Sequence, residues 1–259
     1  MKDAISEIQV VNHRFSPTET MLHVGIALHN PASNVQLRGR LNGPRCPFST
    51  TIEIAYPLRE RARGDDIVTM SAVIPEPSLW DPESPFVYIS FVELMRDGVV
   101  ADRVNFQHAI YWLQMTSKGL RLNGQPFVLR GRCVASIGDV ESLRYLRDRG
   151  FNWLISKASP TGEMRKLAAT YGFFVSHEPA LTDRSADSIE HDLDILQESA
   201  RQNRRAANDA QVSWFTAANP LRIVRGSKIE AIDGFKLVIG DRLPANPPSD
   251  GSIIGWIEA

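Results

Sequence analysis

The sequence predicts a multidomain β plus α/β protein, an antiparallel β-sandwich followed by a domain of alternating strands and helices. Three observations predict it. Residues 1 to 113 break into short runs of alternating polarity separated by turn residues. From Arg121 onward the apolar spacing lengthens to that of helices placed between short buried strands. With 259 residues, 43% apolar and 23% charged, the chain has the composition of a globular protein and room for one large domain or two ordinary ones.

In the first domain the expected strands are Ile5–His13, Met21–His29, Asn34–Leu41, Ser49–Ala55, Asp66–Ile74, Phe86–Met95 and Val99–Ala109. Asn30-Pro31, Asn42-Gly43-Pro44 and Asp97-Gly98 are the turn signals between them. Asp66–Ile74 alternates least cleanly. Seven strands in so short a stretch fit an immunoglobulin-like sandwich.

The second domain is expected over residues 117–259, with the boundary near Tyr111–Ser117. Pro126–Leu129 is a short apolar run. In the helix that follows it, Asp139 is the N-cap, Val140, Leu143 and Leu146 form one stripe, and Gly150 is the stop. Phe151–Ser156 reads as a buried strand, Gly162–Tyr171 as a helix closed by Gly172, and Phe173–Ser176 as the next strand. Ser188–Ala207 follows as a long polar helix and Val212–Thr216 as a fourth short strand. Strands and helices alternating through short connections imply a parallel sheet with right-handed crossovers. Beyond Asn219-Pro220 the pattern weakens, with Arg222–Val224, Phe235–Ile239 and Ile253–Ile257 as further strand candidates.

Charge and cysteine content remove several function classes. Twenty-nine basic against 30 acidic residues give a net charge of −1, so no overall field attracts nucleic acid or an anionic membrane. No stretch has the length and apolarity of a spanning helix or a signal peptide. Cys46 and Cys133 are too few and too scattered for a disulfide framework or a four-ligand zinc site, which points to reduced thiols in a cytoplasmic protein. His177-Glu178-Pro179-Ala180-Leu181 lacks the second histidine of a zinc-protease helix, and no dinucleotide, phosphate-loop or serine-hydrolase motif occurs. Neither a metal nor a cofactor is expected.

Two longer segments carry a family resemblance. Leu79-Trp80-Asp81-Pro82-Glu83-Ser84-Pro85-Phe86-Val87-Tyr88 resembles the LWxPExPxLY segment of glycoside hydrolase family 2, the family of β-galactosidases, β-glucuronidases and β-mannosidases. Leu122-Asn123-Gly124-Gln125-Pro126-Phe127-Val128-Leu129-Arg130-Gly131 is similar to the LNGKPxFLRG stretch that leads into that family's barrel. Leu146-Arg147-Asp148-Arg149-Gly150-Phe151-Asn152 is similar to its LGFN step, and Tyr171-Gly172-Phe173-Phe174-Val175 to its third strand. The resemblance covers roughly residues 20 to 220 and implies an immunoglobulin-like domain followed by an incomplete (β/α) barrel of about four or five βα units. Part of it also has a purely structural reading: Trp80 and its prolines suit a loop leading into a strand, and Asn123-Gly124 suits a two-residue hairpin turn.

The chemistry that the resemblance implies is missing from the matching positions. A retaining glycosidase needs two carboxyl groups about 5 Å apart. In the family the acid/base is the glutamate of an Asn-Glu pair after the fourth strand, and here Asn219 is followed by Pro220. The family's RGxNRHE appears as Arg130-Gly131-Arg132-Cys133-Val134-Ala135-Ser136, and its RxSHYP as Ile155-Ser156-Lys157-Ala158-Ser159-Pro160. Side chains that hold sugar hydroxyls in the family are thus replaced by mostly aliphatic ones. Only about 140 residues follow the boundary, whereas a full barrel takes about 250. The expectation is therefore a degenerate, truncated relative with no catalytic residues, and the substitutions stand equally if the chain is one piece of a longer polypeptide.

The candidate ligand-binding residues are Asn219, Glu178, Trp214, Arg130 and His177. His177-Glu178 ends the expected third strand, where barrels place functional groups; a capping or ion-paired carboxylate is the plainer reading. Trp214 and Trp153 offer flat faces for a sugar ring or simply fill the core. Arg130 and Arg132 flank Cys133, which is either an activated thiol or an inert buried one. Arg201, Arg204 and Arg205 form a solvated face or a docking patch.

Four or five parallel strands leave open edges, which the segment Leu221–Ala259 is expected to cover, by one antiparallel strand such as Phe235–Ile239 or by folding over them. The other solution is a homo-oligomer joined through the open barrel edge. Two function classes follow: a non-catalytic protein that binds carbohydrate or another protein, and, as the alternative, an active or altered O-glycosyl hydrolase of carbohydrate metabolism.

Overall fold

A computed structural model describes residues 4–15, 18–29, 35–116, 119–177, 221–225, 235–240 and 253–258. The described residues fall into two compact units. One holds the chain up to Trp80 together with Phe86–Ile110, and the other holds Asp81–Pro85 and the chain from Tyr111 onward.

The first unit contains β1 (Ala4–Phe15), β2 (Glu19–His29), β3 (Gln36–Arg45), β4 (Ile54–Arg63), β5 (Ile67–Pro75), β6 (Val87–Arg96) and β7 (Val99–His108). They pair antiparallel in the order β1-β2-β5-β4-β3-β6-β7. Four strands, β1-β2-β5-β4, followed by three, β3-β6-β7, is the strand order of an immunoglobulin constant-type sandwich, with β3 and β4 paired as well. Alternation fills its core: Leu22, Val24, Ile26 and Leu28 of β2 meet Val68, Met70, Ala72 and Ile74 of β5, with Leu41, Tyr88, Val92 and Leu94 from the other strands. On β6, Glu93 is buried but accepts from Arg38 Nε at 2.6 Å and Arg103 Nη1 at 3.2 Å, so the carboxylate is paired on both oxygens. Arg103 also lies over the Phe91 ring, 4.3 Å from its centroid.

The fourth strand corrects the sequence expectation. Ser49–Ala55 is mostly loop, and the strand is Ile54–Arg63. Ile52 and Ile54, within the expected range, are 85% and 51% exposed. Only Leu58 of β4 is buried, so backbone pairing with β3 and β5 holds this strand and no hydrophobic alternation marks it. Five of the other strands lie where the turn signals place them, whereas β3 runs on through Asn42-Gly43-Pro44, expected as a turn, with a register shift between Asn42 and Arg45 where it pairs with β6.

The second unit begins with a small sheet of β8 (Leu113–Thr116), β9 (Gly119–Leu122) and β10 (Gln125–Pro126). Asn123 and Gly124, at φ +52° and +80°, form the two-residue turn between β9 and β10. A six-stranded parallel sheet follows. It contains β11 (Leu129–Val134), β12 (Trp153–Ser156), β13 (Phe174–His177), β14 (Leu221–Arg225), β15 (Phe235–Gly240) and β16 (Ile253–Glu258). Between the first three run α1 (Val140–Asp148) and α2 (Gly162–Thr170). Asp139 caps α1 by accepting from Ser142 N, which holds its carboxyl below the usual range, and Thr161 caps α2 by accepting from Met164 N. Gly150 and Gly172, at φ +80° and +86°, turn the chain out of these helices. The chain is mostly β, with these as its two described helices. The expected helix Ser188–Ala207 and strand Val212–Thr216 lie outside the described residues.

The sheet order is β13-β12-β11-β16-β15-β14, and every pairing is parallel. This corrects the expectation for Leu221–Ala259: the segment supplies three strands, none antiparallel, and its last strand lies beside β11. The reason is in the backbone. β11 already pairs with β12 on one side, and an extended apolar run such as Ile253–Glu258 satisfies the donors and acceptors left on the other.

His108, at the end of β7, yields a test of the first unit. Burial holds its imidazole down at about 4, against about 6.5 in an unfolded chain. Between these values the unfolded state binds the extra proton, so stability is full above about pH 6.5 and falls as the pH drops toward 4. By exposed area the residue is intermediate, so the loss is smaller than the whole shift implies. Chemical denaturation at pH 7 and pH 4.5 is expected to show this drop in the native chain and a weaker one in His108→Gln.

Candidate functional site

The sheet of the second unit has two ends with different chemistry. Register places Gly131, Trp153 and Phe174 in one row across β11–β13 and Cys133, Ile155 and Ser176 in the next, all on the same face. Trp153 is 2% exposed, and its Nε1 donates to Ser176 Oγ, so this indole is packed and hydrogen-bonded within the sheet. The opposite face carries Val134, Leu154 and Val175, which pack against Leu143 of α1 and Ala168 of α2.

At the C-terminal ends of β11 and β12 the backbone loops tie to each other. Lys157 N donates to Val134 O at 2.9 Å and Ala158 N to Ala135 O at 3.0 Å, while Ser156 Oγ donates to Ala158 O at 2.7 Å. Ala135, Ser136, Lys157, Ala158 and Ser159 are exposed there. None is a carboxylate.

At the N-terminal ends one buried amide organises three strands. Asn152 Nδ2 donates to Val128 O at 3.0 Å, and its Oδ1 accepts from Arg130 N at 2.7 Å. Its backbone N donates to Arg130 O, and its carbonyl accepts from Phe174 N. Beside this clamp opens a cleft of about 650 Å³, with Phe127, Val128, Arg130, Asp148, Asn152 and the Asp81–Pro85 loop among its walls. The loop is held by Arg147, whose guanidinium donates to the carbonyls of Pro82 and Glu83, and by Ser84 N donating to Asp81 Oδ1 at 2.6 Å.

Of the residues singled out in the sequence, Arg130 lines this cleft. His177 is the last residue of β13, at the other end of the strands. Glu178, Trp214 and Asn219 lie outside the described residues. Cys133 sits on β11, and neither it nor Cys46 is in a disulfide. No group of three or more His, Cys, Asp or Glu among the described residues is placed to hold a metal ion. Sequence reasoning missed Asn152 as an organiser: a polar residue between Phe151 and Trp153 in a buried run was the available signal, and its partners become known only from the fold.

Comparison with known proteins supports one fold. No family model matches the chain. A β-strand and βα arrangement of this kind recurs in a solved glycosyl hydrolase family 2 member from Bacteroides cellulosilyticus, at TM-score 0.52 and 18% identity, over 67% of this chain and 26% of that one. The fold is glycoside hydrolase family 2-like. In sequence the chain is 26% identical over 131 residues to a putative β-glucuronidase of Formosa agariphila, a match covering 50% of this chain and 15% of that protein. It is 23% identical over 135 residues to a β-galactosidase of Psychromonas ingrahamii, covering 47% and 13%. The chain thus matches a small part of the length of these relatives.

The Asn152 clamp is testable. Asn152→Ala leaves the Arg130 N–H and the Val128 carbonyl without their partner, at a cost of about 1–3 kcal/mol for each group left unsatisfied. Thermal or urea unfolding is expected to show a clear loss, and Asn152→Asp is expected to lose stability as well, because it keeps the acceptor for Arg130 N but turns a second oxygen on the Val128 carbonyl.

Proposed function

We propose that this chain is a glycoside hydrolase family 2-related protein that cleaves no glycosidic bond and acts through carbohydrate binding or protein interaction. The supporting observation is at the C-terminal ends of β11 and β12, where barrel enzymes place their chemistry and where the described chain presents Val134-Ala135-Ser136 and Lys157-Ala158-Ser159. Acetal cleavage by retention needs two facing carboxyl groups, one able to give a proton. Proline at 220, after Asn219, is in keeping with this reading.

In this reading residues 1–113 form the immunoglobulin-like domain and residues 117–259 an incomplete barrel. The pairing of the last strand, β16, beside the first, β11, supports a sheet that curls toward closure. The protein works in a reducing, cytoplasmic setting. Self-association through an outer strand of the sheet, β13 or β14, belongs to the same proposal.

Two measurements test it. Incubation with aryl β-glucuronides, β-galactosides and β-mannosides is expected to release no phenol above background. Turnover that disappears in Glu178→Gln overturns the reading in favour of an active or altered glycosidase. Molar mass in solution at micromolar concentration is expected to exceed that of one chain, and a strict monomer removes the self-association part.

A further inference from the structure

We propose that the cleft at the N-terminal ends of β11 and β12 binds a neutral saccharide. This deepens the carbohydrate-binding reading given above and rests on it, and it locates the site at the end of the strands opposite to that used by barrel enzymes.

The cleft, at about 650 Å³, is of a size to hold one or two sugar rings. Its frame is already fixed without a ligand. Arg147 spends its donors on the carbonyls of Pro82 and Glu83, and Asn152 fixes the backbone of Val128 and Arg130. A wall ordered in advance lowers the ordering cost of binding.

The groups left over decide the ligand class. The Arg130 guanidinium, which runs beside Gly150, donates no hydrogen bond to any described residue. Asp148, Glu83 and Gln125 line the same cleft, and their side chains likewise hydrogen-bond to no described residue. Among the described residues lining the cleft, the Arg130 guanidinium is therefore uncommitted beside the uncommitted carboxylates of Asp148 and Glu83 and the amide of Gln125. With Arg147 and Asp81 also in its walls, the cleft carries two cations and three carboxylates among the described residues, so an anionic or a cationic ligand meets like charges as well as opposite ones. A neutral polyol meets neither penalty, because each hydroxyl both donates and accepts and so serves a guanidinium donor and a carboxylate acceptor in turn. Phe127, half-buried, adds an apolar surface for the C–H face of a ring.

The full chain is titrated by heteronuclear NMR with glucose, galactose, mannose, lactose and cellobiose, and in parallel with glucuronate and galacturonate. At least one neutral sugar is expected to bind in about the millimolar range, more tightly than the uronates. Arg130→Met and Asp148→Asn are each expected to weaken it at least tenfold, with unfolding midpoints close to that of the native chain. Either no binding of any neutral sugar, or binding indifferent to both substitutions, overturns the inference, as does a preference for uronates. Turnover of aryl glycosides would sink the non-catalytic reading while leaving the outcome at this cleft to the titration.

Discussion

The structure of the second unit depends on the pairing of β11 on both of its edges. A strand in the middle of a parallel sheet exposes backbone donors and acceptors on two sides, and burial makes each unpaired group costly. β12 meets one side and β16 the other. That single requirement draws the C-terminal segment to the start of the sheet and sets the direction of β14 and β15 with it. Asn152 is the side-chain extension of the same constraint, since it completes the backbone bonding of Val128 and Arg130 just where β11 begins.

The two ends of this sheet divide the possible functions between them. Backbone bonds between Val134, Ala135, Lys157 and Ala158 tie the C-terminal ends of β11 and β12 together, where the exposed side chains are those of Ala135, Ser136, Lys157, Ala158 and Ser159. The N-terminal ends instead meet a loop, Asp81–Pro85, pinned by Arg147, and leave an uncommitted guanidinium and two carboxylates around a cleft. Strand pairing uses the backbone and leaves the side chains at loop ends free to vary, so one scaffold can carry different polar groups at its two ends.

In the first unit the same separation of backbone from side chain appears within one sheet. β2 alternates regularly and β5 less so, yet one face of each is buried along nearly its whole length. β4 is a full member of the sheet with a single buried side chain. Glu93, buried in β6, is tolerated because Arg38 and Arg103 from the flanking strands satisfy both of its oxygens.

The sequence by itself determined what local chemistry controls. The strands with clean alternation, the Asp139 cap, the Asn123-Gly124 turn and the glycine stops at 150 and 172 were legible because each depends on a few neighbouring residues. Tertiary structure alone decided the position of β4, the parallel docking of residues 253–258 beside β11, and the meeting of Arg130, Asp148 and Glu83 around one cleft. The first two are pairings between residues distant in the chain, made through backbone groups that every residue carries alike, and the third follows from where such pairings place the loops, so no side-chain pattern along the sequence can announce them.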